Sequence, residues 1–428
     1  MFNPRRIYTI LLWLLLPYIF FHLLWRARKQ PEYLQHVAER FGFYSICSGK
    51  PVIWLHAVSV GETRAAASLI QRLREAYPGH QLLFTHTTPT GRAASAQLYG
   101  DDVLRIYLPY DYPFAVKRFL RHFRPSIGIL LETEIWFNLI HVCHAAKIPL
   151  LLLNARLSEK SAARYARYPN LVRQGLHELS AIAAQSEPDA ARLTALGANN
   201  VSVMGNLKFD IEPPLAMLEL GARLRAQFGQ DRKVFLAAST RAGEEALLLD
   251  VLKQADIPHL LTVIVPRHPQ RFDEVAALLT RHGIRFQRRS EGRAVAPEIQ
   301  VVLGDSMGEM FACYAACDLA FIGGSLLPFG GQNLIEACAA GKPVLIGPHT
   351  YNFAQASQLA VESGAAVRVQ DTTELAQTLQ NLLSHPEQMT AIGQAGLRFV
   401  SAHRGATGQA LLHINQSLGR RSQYNHAH

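Results

Sequence analysis

The sequence is poor in cysteine, and its few thiols lack the spacing of a metal site or a disulfide framework. Five cysteines are scattered through 428 residues, an odd number that suits reduced thiols in the cytoplasm. Cys313 and Cys317 lie one helical turn apart, with no second cysteine pair or nearby histidine to complete a zinc site. We therefore expect buried helix thiols and no metal.

The chain also lacks a nucleic-acid-binding motif, although its charge would suit one. Lysine and arginine total 43 against 33 acidic residues, for a formal net charge of +10. Such a charge fits nucleic acid, an anionic membrane or an acidic substrate. Without a motif for the first, we expect no nucleic-acid partner. Apolar residues make up 49% of the chain, which indicates a globular fold.

Long apolar runs are absent except near the N-terminus, where Ile7 to Trp25 carries no formal charge. About 19 residues suffice for one helix to cross the hydrocarbon core. A cleaved signal peptide is the alternative, but the run is long and no small-residue cleavage site follows it. We expect an uncleaved anchor over residues 1–30 that either spans the membrane or lies partly in its interface. The basic residues after the run favour a cytoplasmic main body.

Beyond the anchor, short apolar runs alternate with amphipathic helical patterns in two series, separated by a double proline within Asn206–Leu215. This alternation predicts an α/β fold of parallel sheets with both faces covered. We expect a first Rossmann-like domain over 31–210, a second over 211–428, and a cleft between them. The predicted strands are Val52–His56, Gln81–His86, Ile127–Glu132 and Leu150–Asn154 in the first series, and Val234–Ser239, Leu261–Pro266, Ile299–Gly304, Leu319–Gly324 and Pro343–Gly347 in the second.

Polar motifs follow several strands of the second series, at the edge where open α/β sheets bind ligands. Arg267 and His268 directly follow one strand, and the segment Gly304–Met310 follows another. A guanidinium in such a place can neutralise a phosphate or a carboxylate. Any one of these segments alone could be a solvated loop without a function. Several such motifs at one sheet edge are stronger evidence for a ligand site.

A glycine pair, Gly330 and Gly331, precedes a helix in the same domain. Asn333 and Glu336 are three residues apart at the start of this helix and therefore share a face. The N-terminus of a helix suits a phosphate, and a carboxylate at Glu336 suits the two hydroxyls of a ribose. An ordinary capped helix remains the plain alternative.

Carboxylates mark the strand ends of the first domain. Glu62 follows the first strand and lies at the start of a helix, where it is a candidate general base or merely a first-turn residue favoured by the helix dipole. Glu132 and Glu134 end another strand, and a buried acidic pair so placed usually has a task. Lys208 lies near the double proline, from where we expect it to reach the cleft.

These motifs resemble those of the bacterial lipid A Kdo transferases, Kdo being 3-deoxy-D-manno-octulosonic acid. The chain carries, in the family's order, HAVSVGE, ETEIW, NARLSEKS, NLKFD, AAST, PRHP, GDSMGE, GGS and GGQNLIEA. The resemblance covers nearly the whole chain. It implies the GT-B fold, in which two Rossmann-like domains face each other across a cleft behind an N-terminal membrane anchor. It also implies CMP-Kdo as donor and a lipid A precursor, lipid IVA, as acceptor, at the cytoplasmic face of the inner membrane.

The resemblance further implies a role for each candidate residue. Glu62 is the implied proton acceptor, and Glu132 and Lys208 are the implied transition-state stabilisers. Gln332 stands where the family commonly has a histidine. No metal and no cofactor beyond the donor substrate are needed. The implied CMP site comprises Arg267, His268, Gly308, Glu309, Met310, Asn333, Leu334, Ile335 and Glu336.

Two other functions stay open at this point. One is another GT-B transferase that uses a UDP-sugar and a lipid acceptor. The other is a catalytically silent, membrane-bound sugar-nucleotide-binding protein, against which the Glu62 motif argues. The basic stretch from Lys117 to Arg124 either meets anionic head groups and lipid A phosphates or is simply a solvated face.

Overall fold

The computed structural model describes residues 4–426, without the side chains of Lys29 and of residues 420–426. The chain divides into two compact units. The first contains the residues up to Asp210 together with those from Arg404 onward, and the second contains Ile211–His403. Each unit is built on one seven-stranded sheet in which every pairing is parallel. The two Rossmann-like α/β units that the apolar pattern predicts are therefore confirmed.

The first unit begins with a long helix and continues as alternating strands and helices. Its strands are β1 Val52–His56, β2 Gln81–His86, β3 Val103–Tyr107, β4 Pro125–Leu131, β5 Leu150–Ala155, β6 Ala181–Ala184 and β7 Val201–Val203. Its helices up to Asp210 are α1 Pro4–Lys29, α2 Val60–Ala65, α3 Ala67–Ala76, α4 Pro89–Tyr99, α5 Pro113–Phe123, α6 Phe137–Ala145, α7 Glu159–Tyr165, α8 Pro169–His177 and α9 Glu187–Ala195.

Strand β1 shows why these apolar runs become central strands. All five of its residues are fully buried. Val52 and Trp54 belong to one apolar cluster, whereas Ile53 and Leu55 belong to another. Successive side chains of a strand point to opposite faces, so a strand covered on both faces is apolar along nearly its whole length, and in β1 only the last residue, His56, is polar.

The strand order of the first sheet, β3-β2-β1-β4-β5-β6-β7, reverses direction at β1. Strand β1 pairs with β2 on one side and with β4 on the other. The chain leaves β1 toward β2 and leaves β4 toward β5, in opposite directions across the sheet. This opens a crevice at the carboxyl ends of β1 and β4. Ligands of open α/β sheets bind at such a switch point.

The second unit repeats the alternation. Its strands are β8 Val234–Thr240, β9 Leu261–Pro266, β10 Phe286–Arg288, β11 Val301–Leu303, β12 Leu319–Ile322, β13 Val344–Ile346 and β14 Val367–Arg368. Its helices are α10 Leu215–Phe228, α11 Glu244–Ala255, α12 Phe272–Arg281, α13 Met310–Ala316, α14 Ile335–Ala339, α15 Ala354–Glu362, α16 Thr372–Ser384 and α17 Pro386–His403. The sheet order is β10-β11-β9-β8-β12-β13-β14, which places the switch point between β8 and β12.

The last helix, α18 Ala406–His426, requires a correction to the predicted domain division. The sequence pattern assigns residues 211–428 to the second domain, but the residues from Arg404 onward belong to the first unit. Ala406, Ala410 and Ile414 form one buried stripe within an apolar cluster of the first sheet. The backbone N–H groups of Gly405 and Thr407 donate to the carboxylate of Asp210, the residue at which the first unit is interrupted. Residues 427 and 428 lie outside the described residues.

Helix α1 is long and apolar enough to cross a membrane, with a mean hydropathy of 2.0 and few of its residues fully buried. It is the one such helix among residues 4–426. Length and composition therefore agree with the expected membrane anchor.

The packing of α18 predicts a local effect of a buried charge. Ala410→Glu places a carboxylate inside the apolar cluster, which we expect to destabilise the first unit by about 3 kcal/mol. Hydrogen exchange should then accelerate in β4 and β5, against which α18 packs, and not in β8. Gln409→Glu, at an exposed neighbouring position, is the matched control. Faster exchange in β8 alone would contradict the assignment of α18 to the first unit.

Candidate active site

Glu62 lies in α2, directly after β1, and its side chain folds back onto the loop that precedes it. Ser59 caps the helix by accepting from the Glu62 backbone N–H at 3.1 Å. In return, the Glu62 carboxylate accepts from the Ser59 hydroxyl and from the Val58 backbone N–H, both at 2.7 Å. This reciprocal cap fixes the carboxylate at the carboxyl end of β1.

The pKa of Glu62 is raised above its ordinary value of 4.5. Burial is the largest cause, and the charge of Glu132 is the next. The two hydrogen bonds from Val58 and Ser59 act in the opposite direction, while Glu134 adds a smaller repulsion. A carboxylate with a raised pKa holds a proton more tightly, which is the property that a general base needs.

Glu132 follows β4 and has the backbone angle φ +62°, in the left-handed region that non-glycine residues rarely adopt. The backbone N–H of Glu132 still donates to Leu153 O at 3.1 Å. The chain therefore turns away after β4 while Glu132 keeps its backbone hydrogen bond to β5. The Lys208 ammonium lies 3.3 Å from a carboxylate oxygen of Glu132, and both side chains are about four-fifths buried. The structure thus brings together the three residues Glu62, Glu132 and Lys208.

A polar corner after β5 holds the loop that carries Lys208. Asn154 also has a left-handed backbone, with φ +54°. Its side-chain oxygen accepts from Leu207 N at 3.1 Å, and its carbonyl accepts from the Gln185 amide at 3.0 Å. Gln185 in turn accepts from the amide of Asn206 at 3.0 Å. Sequence reasoning missed this corner, because its partners are distant along the chain.

His56 is a second feature that the sequence did not single out, although it is the first letter of the HAVSVGE motif. It is fully buried at the end of β1, and its Nδ1 lies 2.9 Å from the Thr85 hydroxyl. Its Nε2 lies 3.6 Å from Glu134, which also accepts from the Trp136 indole N–H at 2.6 Å. Glu134 is therefore held by β1 and by its own loop, at the same sheet edge as Glu132.

In the second unit, Arg267 and His268 follow β9, as predicted. The guanidinium of Arg267 donates to Gln332 Oε1 at 3.1 Å, so Gln332 provides an acceptor to the arginine. His268 Nε2 lies 2.7 Å from a guanidinium nitrogen of Arg241. Burial first, and then the charges of Arg241, Arg267 and Arg271, lower the pKa of His268. A neutral imidazole thus lies among guanidinium groups.

The segment Gly304–Met310 links β11 to α13. Gly308 has a positive φ of +83°, and Met310 begins the helix. Glu309 contacts the guanidinium of Arg289 at 3.3 Å and accepts from the Ser306 hydroxyl. Gly304 to Gly308 read G-x-S-x-G, a pattern of hydrolase nucleophiles, but Ser306 donates to this carboxylate rather than to a histidine base.

Asn333 and Glu336 share a face, as predicted, and contact each other directly. The Asn333 amide donates to Glu336 Oε1 at 3.0 Å and accepts from Ile335 N at 3.1 Å. The side chains of Leu334 and Ile335 are buried, so a ligand meets only their backbone. The loop before this helix needs glycine at position 330, where the backbone φ is +89°. The backbone there lies so close to Tyr351 that an added Cβ would be 2.4 Å from its ring. Helix α14 has only five residues.

Two buried acids that the sequence did not reveal support this edge. Glu244 accepts from the backbone N–H groups of Arg241, Gly324 and Leu326, and thereby links the loops after β8 and β12. Glu245 receives both terminal nitrogens of Arg271, at 2.6 and 2.9 Å, and the Thr240 hydroxyl at 2.7 Å. Both carboxylates stabilise the switch point and are directed away from solvent.

Among residues 4–426, no group of three or more histidine, cysteine, aspartate or glutamate side chains has the geometry of a metal site. Cys143, Cys313, Cys317 and Cys338 are buried, and Cys47 is exposed.

Comparison with known protein families gives two matches. The family model described as 3-Deoxy-D-manno-octulosonic-acid transferase (kdotransferase) matches residues 35–211. The model described as Glycosyl transferases group 1 matches residues 284–399. The first match covers the carboxylate site and the second covers the edge that includes Glu309 and Glu336.

Individual proteins are similar over nearly the full chain. The 3-deoxy-D-manno-octulosonic acid transferase of Bordetella pertussis is 41% identical, covering 97% of this chain and 100% of its own length. That of Haemophilus influenzae is 38% identical, covering 95% and 97%. Among solved structures, a glycosyltransferase from Rickettsia africae has a TM-score of 0.58 at 14% identity, over 87% of this chain and 99% of its own. At that identity the structure shows the fold alone.

The Glu245–Arg271 pair predicts a stability effect in the second unit. Because Glu245 is only 1% exposed, Arg271→Ala leaves a buried charge without its main partner, and we expect the free energy of unfolding to fall by about 3 kcal/mol. Denaturant-dependent hydrogen exchange of β8 measures this. Arg281→Ala, at the exposed last residue of α12, should change it little. Equal effects of the two substitutions would contradict the role of Glu245.

Proposed function

The chain belongs to the family of 3-deoxy-D-manno-octulosonic acid transferases, and from this premise we propose that it transfers Kdo from CMP-Kdo to lipid IVA with Glu62 as the general base. As a family member it is a glycosyltransferase of GT-B fold that transfers Kdo in lipopolysaccharide biosynthesis. The donor, the acceptor and the residue roles belong to the proposal. The proposal also includes the location of the protein, with α1 as the membrane anchor and both units at the cytoplasmic face of the inner membrane.

The observation that carries the proposal is the carboxylate cluster of the first unit. Glu62 lies at a sheet edge that suits a ligand, its pKa is raised by burial and by Glu132, and an ammonium group lies beside Glu132. A capped surface helix would explain the position of Glu62, but it would not explain the neighbouring left-handed Glu132 or the buried ion pair. Strain and perturbed ionisation cluster at functional sites.

The reaction that follows is a single displacement. Glu62 takes the proton of an acceptor hydroxyl on the glucosamine disaccharide, and the oxygen forms a bond to the anomeric carbon of Kdo. The bond between that carbon and the phosphate oxygen of CMP breaks with its electron pair, so the configuration inverts and CMP leaves. The proton stays on Glu62 until it is released to solvent.

Glu132 and Lys208 act on the charge of the transition state. As the bond to CMP lengthens, the sugar ring gains positive charge, which the carboxylate of Glu132 stabilises. Lys208 pairs with Glu132 and offsets the negative charge of the incoming donor. Groups held in place before the reaction contribute the most to such stabilisation, and the corner at Asn154 holds the Lys208 loop.

The second unit binds the nucleotide in this proposal. Arg267 meets the phosphate, and the neutral imidazole of His268 offers a hydrogen bond without adding charge. The backbone of Gly308 through Met310 approaches the cytidine. Asn333 and Glu336 present polar side chains to the ribose, while the backbone of Leu334 and Ile335 lines the same edge. Gln332 takes the place of the family's histidine by orienting Arg267.

The donor and the acceptor are tested by incubating the purified full-length protein with CMP-Kdo and lipid IVA. Mass spectrometry should find lipid IVA extended by Kdo residues, together with free CMP. The same incubation with UDP-N-acetylglucosamine in place of CMP-Kdo is the control for donor class. Transfer from the UDP-sugar and none from CMP-Kdo would contradict the proposal.

The role of Glu62 predicts a loss of rate without a loss of nucleotide binding. We expect Glu62→Gln to lower kcat by about 10²- to 10⁴-fold, the range that general-base catalysis contributes, and to leave CMP affinity by calorimetry within twofold. Glu75→Gln, an exposed glutamate on α3, is the matched control. A folded Glu62→Gln enzyme that binds CMP and transfers Kdo at the normal rate would refute the assignment.

A further inference from the structure

Helix α1 has two different faces along its length. One stripe is apolar and strongly exposed, reaching 71% at Leu14 and 68% at Phe21. The opposite stripe is half-buried or buried against the first unit. The exposed stripe consists of Ile10, Leu14, Tyr18, Phe21 and Trp25. The packed stripe consists of Tyr8, Leu12, Leu16, Ile19, Leu23 and Ala27.

The N-terminal end of the helix is fixed to the first unit by specific polar contacts. The Tyr8 hydroxyl donates to the carboxylate of Asp111 at 2.8 Å, and the Tyr112 hydroxyl donates to Leu12 O at 2.7 Å. Asp111 is itself 3% exposed and also accepts from the backbone N–H groups of Asn138 and Leu139. The partners of Tyr8 and Leu12 are thus part of the body of the first unit.

The C-terminal end of the helix is packed as well. Leu23 and Ala27 are buried, and Leu23 lines one cavity together with Phe41 and Tyr110 of the first unit. Nineteen residues separate Tyr8 from Ala27, which corresponds to roughly 28 Å along a helix axis. That distance is close to the thickness of the hydrocarbon core, about 30 Å.

These contacts are incompatible with a helix that crosses the bilayer. If α1 crossed, Tyr8 and Ala27 would lie at opposite membrane surfaces, and the body that touches both would lie within the hydrocarbon. That body contains the buried carboxylate of Asp111 and an open parallel sheet, whose polar groups lipid cannot satisfy. The packed stripe therefore keeps both ends of α1 on the same side.

A basic helix adjoins the exposed stripe. The indole of Trp13 stacks on Phe114 of α5 with ring centres 5.6 Å apart, and the guanidinium of Arg118 lies 5.3 Å from the same phenylalanine ring. Lys117 and Arg121 are exposed on α5. An apolar stripe beside exposed cationic side chains fits the acyl region and the anionic head groups of one leaflet.

We propose that α1 is an in-plane, monotopic anchor, held on the first unit along its length and immersed in one leaflet of an anionic bilayer without crossing it. Its exposed stripe enters the acyl region, and α5 lies on the head groups. Both ends of α1 and the catalytic body are then on the same side of the membrane. The proposal concerns topology and does not depend on the identity of the donor or the acceptor.

The test compares single cysteines at the two ends of the helix. Arg6→Cys and Arg28→Cys, both at exposed positions, are placed singly in the full-length protein carrying Cys47→Ser, since the other four cysteines are buried. A membrane-impermeant maleimide is applied to intact spheroplasts and to inverted membrane vesicles. Gln71→Cys, at an exposed position on α3, reports the side on which the body lies.

All three cysteines should be labelled from the same side. Labelling of Arg6→Cys from the side opposite to Arg28→Cys would overturn the proposal. If a cysteine variant fails to fold, an epitope tag at the N-terminus of the wild-type chain replaces it, and protease access to the tag in spheroplasts and vesicles gives the same decision.

A second measurement tests the anionic leaflet. Flotation of the full-length protein with vesicles of phosphatidylcholine alone, or with added phosphatidylglycerol, should show several-fold more protein on the anionic vesicles at low salt. Lys117→Ala/Arg121→Ala should reduce this preference, and Arg281→Ala/Arg285→Ala, at exposed positions in the second unit, should not. Equal preference in both variants would contradict the role of α5.

Discussion

Burial of the Glu62 carboxylate beside Glu132, at one sheet edge, is the constraint on which the site of the first unit depends. Burial raises the pKa of Glu62 the most, and the charge of the nearby Glu132 raises it further. The fold determines where these two carboxylates lie, because β1 and β4 are neighbouring strands at the switch point and the chain turns after each of them. Lys208 beside Glu132 and the hydrogen bonds to Glu62 make the arrangement tolerable. A carboxylate kept in this state is ready to accept a proton.

The second unit uses the same type of edge with the opposite charge. Arg241 and Arg267 converge at the ends of β8 and β9, and neutral His268 lies between them. The acids there are turned inward, where Glu244 and Glu245 bind backbone amides and Arg271. One fold, used twice, thus supplies an acidic site and a cationic site, because strand ends present whatever side chains the loops carry.

The sequence predicts several strands well because each is a short run in which apolar residues predominate. Val52–His56, Gln81–His86 and Leu261–Pro266 have the bounds that their letters predict. The pairing of Asn333 with Glu336 also follows from local spacing. Strand bounds and shared helix faces depend on residues that are close in the sequence. Periodicity and turn-forming residues therefore suffice to predict them.

Features that depend on distant partners could not be predicted in this way. The return of α18 to the first unit rests on Asp210 accepting from Gly405 and Thr407, far apart in sequence. The hydrogen bond from Arg267 to Gln332 also joins residues that are 65 positions apart. Likewise, the apolar letters of α1 predict a membrane helix, whereas its orientation depends on Asp111 and Tyr112.

The central claim is that burial, together with the charge of Glu132, raises the pKa of Glu62. Titration of the Glu62 carboxyl group tests it most directly. Infrared difference spectra of wild type minus Glu62→Gln, recorded against pH, isolate its protonated band. The account predicts that the band persists above the ordinary pKa of 4.5, and that it disappears at lower pH in a Glu132→Gln background, where one repelling charge is gone. A band that vanishes at or below pH 4.5, or that does not respond to Glu132→Gln, would contradict the account.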